Sequence, residues 1–222
     1  CRLFADDATI YCSCPTVRKA KLQVQSDLSD ASNWLSINKL TLNIPKSGIM
    51  TLGHHKRVGN DVTPVTLNGK SLSIVTESKL LGVVVDSNLS WCSHINYIVS
   101  KVSPKIGLLS RLRFSLPSNL LNVVYNSIIV PYFDYCDTVW GNCCLKYKNV
   151  LQRLQNRCAR IVSGNFDYTV SPKLIIKKLG WLQLEERRRF HLATLTYKCL
   201  NSTAPQYLAN KFTFCNEIHQ WN

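Results

Sequence analysis

The chain has 222 residues, of which 45% are apolar and 18% charged, and a formal net charge of +14. That composition excludes a disordered or fibrous chain and leaves enough apolar residues for one large domain or two small ones. The charge is lopsided: residues 1–100 hold 10 Lys/Arg against 7 Asp/Glu, and residues 101–222 hold 17 against 6.

In chain order, residues 2–5 and 8–11 are apolar enough for two strands, which puts Asp6 and Asp7 at a hairpin tip. Thr16 can cap a helix in which Val17, Ala20, Val24, Leu28, Ala31 and Leu35 recur at helical spacing until about Asn38. Residues 40–43 read as extended and 45–48 as a turn. Short strands are predicted at 49–52, at 65–67 and 71–74 around Asn68-Gly69, and at 80–85. From about residue 93 the period becomes helical. Ile95, Val99, Val102, Ile106, Leu109 and Leu112 form one stripe, and further helices are predicted at 120–130, 147–162, 174–179 and 184–200. Pro131 should stop the second of these. Val150, Leu151, Leu154, Cys158 and Ile161 should face inward on the third, with Arg153, Arg157 and Arg160 on its other side. The expected fold class is α+β, with one domain over 1–95 and a helical, basic one over 96–222.

The basic second half favours a polyanionic partner. The longest apolar run, 116–133, is broken by polar residues and two prolines, so no membrane partner is expected. The ten cysteines have neither a Cys-x-x-Cys pair nor zinc-knuckle spacing and read as reduced thiols of an intracellular protein, nuclear or cytoplasmic. The first residue is Cys1 and the sole methionine is Met50, so a piece of a longer product is expected.

Adjacent carboxylates at a hairpin tip are chemically pointed, because clustered oxygens hold the paired Mg²⁺ ions of phosphoryl transfer. Alone, Asp-Asp is most often only a turn. The order of the later motifs is more specific. After Phe4-Ala5-Asp6-Asp7 come Trp34, the run Asn38-Lys39-Leu40-Thr41-Leu42-Asn43 and Lys46-Ser47. Then come Leu81-Gly82-Val83 with Asp86, Trp91 and His94; Val124-Tyr125; Pro131; Tyr135, Val139 and Trp140; and Leu151-Gln152-Arg153-Leu154-Gln155-Asn156-Arg157. This ordered set resembles the late part of the reverse transcriptases of non-LTR (LINE-type, jockey-like) retrotransposons, and covers nearly the whole chain.

The resemblance implies a partial polymerase palm followed by an all-helical, thumb-like lobe. It implies Asp6 and Asp7 as metal-binding and catalytic residues, with Mg²⁺ or Mn²⁺ serving in the intact parent and none expected to bind tightly here. Phe4 and Ala5 would lie under the primer end. Lys46 would act near the departing pyrophosphate, and Leu81 and Gly82 would support the primer. Lys101, Lys105, Arg153, Arg157 and Arg160 would contact phosphates of an RNA template and DNA primer, with deoxynucleotides as substrates in the parent. Arg187, Arg188 and Arg189 splay around their helix, and Tyr125, Tyr132, Tyr135 and Trp140 read as core.

In the resembled family a further catalytic aspartate and the fingers lie upstream, so this chain alone is expected to be inactive. Two other readings stay open: a non-catalytic RNA- or DNA-binding module retained from a transposon, and a basic helical domain whose Asp6-Asp7 is only a turn.

Overall fold

The structure, a computed structural model, describes residues 2–5, 7–53 and 64–213. Asp6 lies outside the described residues. The chain divides into two compact units, Cys1–Trp91 and Cys92–Asn222.

Short strands and tight turns build the first unit. Strands β1 (Arg2–Phe4) and β2 (Asp7–Thr9) pair antiparallel, with Phe4 opposite Asp7. Helix α1 (Val17–Ile37) begins as expected: the Thr16 hydroxyl accepts from the Lys19 amide, filling a donor the helix leaves unpaired. Strand β3 (Gly48–Ile49) pairs parallel with β6 (Ser73–Ile74). Strands β4 (Thr66–Leu67) and β5 (Lys70–Ser71) form a hairpin, as do β7 (Glu77–Leu80) and β8 (Val83–Asp86). Their two-residue loops, Asn68-Gly69 and Leu81-Gly82, have positive φ at both positions, the backbone that matches strand twist.

The second loop corrects the single strand expected over 80–85. Leu81 takes φ 45° and turns the chain where the apolar run reads as continuous.

Val65, Leu67 and Leu72 form the buried cluster of this unit, with Val24, Leu28, Leu42, Ile44 and Ile49 packed against it. Gln25 on α1 supplies what a neighbouring strand would. Its Oε1 accepts the Thr66 N–H at 2.8 Å and its Nε2 donates to the Thr66 carbonyl at 2.8 Å. Even so, no residue of α1 is fully buried, and Ile37 is 80% exposed.

The second unit is helical: α2 (Cys92–Leu112), α3 (Ser118–Ile128), α4 (Val130–Asp134), α5 (Asp137–Trp140), α6 (Leu145–Ser163), α7 (Pro172–Lys178), α8 (Leu184–Leu200) and α9 (Gln206–Ala209). Along α2 the buried stripe is Ile95, Ile98, Val102, Ile106 and Leu109, so Ile98 takes the place assigned to Val99. Pro131 does not end a helix. It sits in the first turn of α4, where its missing N–H costs nothing. The central helix is α6, packed against α2, α3, α7 and α8.

Trp140 is fully buried and donates its indole N–H to the Tyr135 carbonyl at 2.8 Å. His94 meets it edge-on, and burial holds the His94 pKa below its ordinary value. Tyr125 stacks on Trp181 with ring centroids 3.8 Å apart, and burial pushes the Tyr125 hydroxyl up. Tyr135, in contrast, is exposed.

Two glutamines join α6 to the segment between α7 and α8. Buried Gln155 donates to the Leu182 carbonyl at 2.9 Å, and Gln152 accepts from the Leu184 amide at 3.1 Å. The described cysteines are free thiols. Cys143, Cys158 and Cys199 are buried, and burial pushes Cys158 up to about 12.

Candidate catalytic hairpin and nucleic-acid face

Because Phe4 pairs with Asp7, the first hairpin turns between these two residues, and Asp7 already belongs to β2. Ala5 takes φ 51°, a left-handed conformation that its Cβ makes unfavourable by about 1–2 kcal/mol. Phe4, Ala5 and Asp7 are all exposed. An Mg²⁺ ion requires near-octahedral oxygen coordination, and the one described carboxylate of this hairpin supplies only part of such a shell. Even with Asp6, adjacent in the sequence, two carboxylates are fewer oxygen donors than a pair of such ions takes.

The Asn38–Asn43 run has a structural explanation. The Asn38 amide donates to the Trp34 carbonyl at 2.8 Å and closes α1. The Asn43 side chain accepts the Lys46 N–H at 3.2 Å, capping a 3-10 turn over Ile44–Lys46. Leu42 enters the core, Leu40 stays out, and the Lys46 side chain is held on an exposed turn.

Leu81 and Gly82 form a hairpin tip, with Leu81 exposed. Beyond it, the Asp86 carboxylate accepts the amides of Asn88, Ser90 and Trp91 at 3.2, 3.0 and 2.8 Å. Burial alone would raise its pKa, but the amides outweigh that and hold it below the usual carboxylate value.

The basic residues of the second unit separate into two kinds. Lys101 lies over the Tyr97 ring and Lys105 over the Tyr132 ring, while Arg153 and Arg157 are exposed on α6. Arg160 is not part of that open row. It is only 8% exposed, and donates to the carbonyls of Asp167 at 2.7 Å and Val170 at 2.9 Å, tying the loop after α6 to its helix. The three consecutive arginines of α8 also diverge: Arg187 grips Asp134 through two hydrogen bonds, Arg188 is buried over Trp140, and Arg189 is exposed.

Sequence reasoning missed one feature. Helices α2, α6 and α7 carry eleven Lys/Arg and no acidic residue, and α6 packs against both of the others. The signal lay in how acids distribute among the helices. It acquires meaning once those helices are seen to be neighbours.

Asp134, Asp137 and His191 have ligand atoms within 4.8 Å of one another, a set able to hold a metal ion. Arg187 already occupies both oxygens of Asp134, and His191 Nδ1 lies 2.7 Å from buried Asp137. The group is accounted for as a network that fastens α8 to α4 and α5. Among the described residues, no helix is long and apolar enough to cross a membrane.

No protein-family model matches the chain, and no solved structure matches it significantly. Curated proteins do. Over 166 residues the chain is 25% identical to the probable RNA-directed DNA polymerase from transposon X-element of Drosophila melanogaster, covering 72% of this chain and 18% of that protein. Over 197 residues it is 25% identical to the RNA-directed DNA polymerase from mobile element jockey of Drosophila funebris, covering 85% and 21%. A third relative is the retrovirus-related Pol polyprotein from type-1 retrotransposable element R1 of Bradysia coprophila, 30% identical over 135 residues, covering 56% and 13%. The chain spans about a fifth of the length of the curated relatives first named. Over most of its length, then, it resembles the RNA-directed DNA polymerases of jockey-like non-LTR mobile elements.

Proposed function

We propose that this chain is a segment of a reverse transcriptase. Residues 1–95 contribute part of the palm, with Asp6 and Asp7 as metal ligands. Residues 96–222 act as a thumb-like lobe that holds an RNA template paired with a DNA primer. The observation that carries this reading is the packed trio of acid-free helices in a chain similar to polymerases. Apart from buried Arg160, the ten other cations of these helices, with no acid among them, would attract a phosphate backbone and release its counterions. Arg153, Arg157, Lys101 and Lys105 present outward charge for that role, and Arg160 orders the loop beside them.

The palm portion supports the same reading through its incomplete burial. Leu3, Phe4, Trp34 and Ile37 are exposed apolar residues on β1 and α1, a surface that further polymerase segments would cover. Where the full metal site is assembled, its ions would activate the primer hydroxyl and neutralise the phosphate under attack. Phe4 and Ala5 would shape the floor under the primer end, Leu81 and Gly82 would support the primer, and Lys46 would offer a positive charge to the leaving pyrophosphate.

The chain by itself is expected to be inactive, since Asp6 and Asp7 together supply fewer ligands than a two-metal site takes. The test is primer extension on an RNA template with Mg²⁺ or Mn²⁺. No synthesis above background is expected, together with measurable binding of the RNA–DNA hybrid. Robust synthesis by the purified chain would contradict its inactivity. The reading as a non-catalytic binding module shares the hybrid-binding expectation and differs only in what the parent does.

A further inference from the structure

At one end of the helical unit a cleft of about 420 Å³ opens between the turn after α2 and the loop after α6. Its floor is apolar, formed by Leu116, Leu121, Ile161 and Val162. Phe114 and Phe166 stand at its lips, and the Arg113 guanidinium is shared between them, 4.6 Å from the centroid of each ring. Phe114 is 79% exposed. On the same loop as Phe166, Tyr168 is more exposed still and lies under Arg160.

We propose that this cleft binds an unpaired base of single-stranded nucleic acid, stacked on Phe114, with the adjoining phosphate on Arg113. The inference rests on the nucleic-acid reading above and adds to it a site for a strand that is not in duplex form. Three observations carry it.

The first is an exposed aromatic ring at the lip of the cleft. Phe114 spends its hydrophobic surface on water, a cost that a stacked base removes, and every base has a face that fits. The second is the state of Arg113. Held by ring faces, and paired with no carboxylate among the described residues, it keeps its N–H donors for an anion. The third is charge. Among the described residues, Arg113 is the one charged residue that lines the cleft, no acidic side chain lines it, and the acid-free helices α2 and α6 end beside it. An apolar peptide would suit the floor but would leave that charge unanswered.

The test uses the whole chain and two fluorescent probes: a single-stranded oligouridylate and a blunt RNA–DNA hybrid of similar charge. Phe114→Ala should weaken single-strand binding about tenfold, the scale of one lost stacking contact, and leave hybrid binding within about twofold. Its thermal melt should match that of the parent chain, because Phe114 supports no core. A 4-thiouridine oligonucleotide should crosslink to the peptides containing Phe114 or Phe166.

Unchanged single-strand affinity in Phe114→Ala, equal losses for both probes, or crosslinks confined to other peptides would each overturn the inference and leave the duplex-binding lobe standing. Absence of salt-sensitive binding to either probe would overturn both.

Discussion

The two units of this chain solve the burial problem with different success. The helical unit closes a core around Trp140, Tyr125, Leu151 and Cys158, and threads it with Gln155, whose amide meets the Leu182 carbonyl and the Tyr125 hydroxyl. The first unit gathers Val65, Leu67 and Leu72 into a small cluster, and among its described residues the four sheets have two strands apiece. Two-stranded pairings are marginal in water unless something packs on them. The difference lies in the depth of the core, since both units also leave large apolar side chains exposed, Ile37 in the first and Phe114, Leu145 and Phe190 in the second.

Core truncations should expose that contrast most strongly. Leu151→Ala removes a fully buried side chain of α6 and is expected to cost about 3 kcal/mol, whereas Leu28→Ala on half-buried α1 should cost only about 1 kcal/mol. Urea unfolding of the two variants measures both, and equal losses would erase the distinction.

The next effect concerns the fastening of α8. The Asp134 carboxylate hydrogen-bonds Arg187 and holds its guanidinium more firmly protonated than usual. Asp134→Asn should cost about 2 kcal/mol by leaving a partly buried cation unpaired. In a double-mutant cycle with Arg187→Met, the second change should cost much less once the first is made. Additive losses would show that the two side chains do not act together.

Charge reversal separates outward from inward arginines. Arg153→Glu with Arg157→Glu should weaken hybrid binding about tenfold or more and lower the salt slope by about 2, with little change in melting. Arg160→Ala should instead lower the melting temperature, because the carbonyls of Asp167 and Val170 lose their donor. Reversed outcomes would exchange their roles.

The smallest effect belongs to the first unit. Asp86→Asn weakens three amide contacts and should cost about 1 kcal/mol. The folded pKa of Asp86 is depressed, so its contribution is complete above the unfolded value, about 3.9, and is lost as pH falls through the folded value. An acid titration of stability should therefore be shallower in Asp86→Asn. An unchanged profile would contradict the clasp.

Periodicity made the helical unit largely legible in the sequence, because long amphipathic helices repeat one signal many times. The helix expected over 184–200 is the one observed, and α1 begins at the expected cap. The errors fall where a single residue decides. Pro131 opens a helix, since proline is as suitable at a first turn as it is disruptive later. Leu81 bends a strand into a hairpin by adopting a backbone that leucine rarely takes.

The family resemblance was legible as an order of motifs, but the work of the individual residues was not. Asn38 and Asn43 cap backbone, and Gln152 and Gln155 lock helices together. Arg160 shares the helical spacing of Arg153 and Arg157 yet faces the loop beyond the helix. Spacing along a helix places a side chain on a face. It cannot say what the next loop brings to that face.

The most direct test of the account is the binding of the whole chain to an RNA–DNA hybrid across a salt series. The account predicts an affinity that falls linearly with the logarithm of salt concentration, with a slope set by several phosphates, and a shallower slope in the Arg153→Glu, Arg157→Glu variant. Failure to bind at low salt, or a salt-independent affinity, would contradict the assignment of the helical unit as a nucleic-acid-holding lobe.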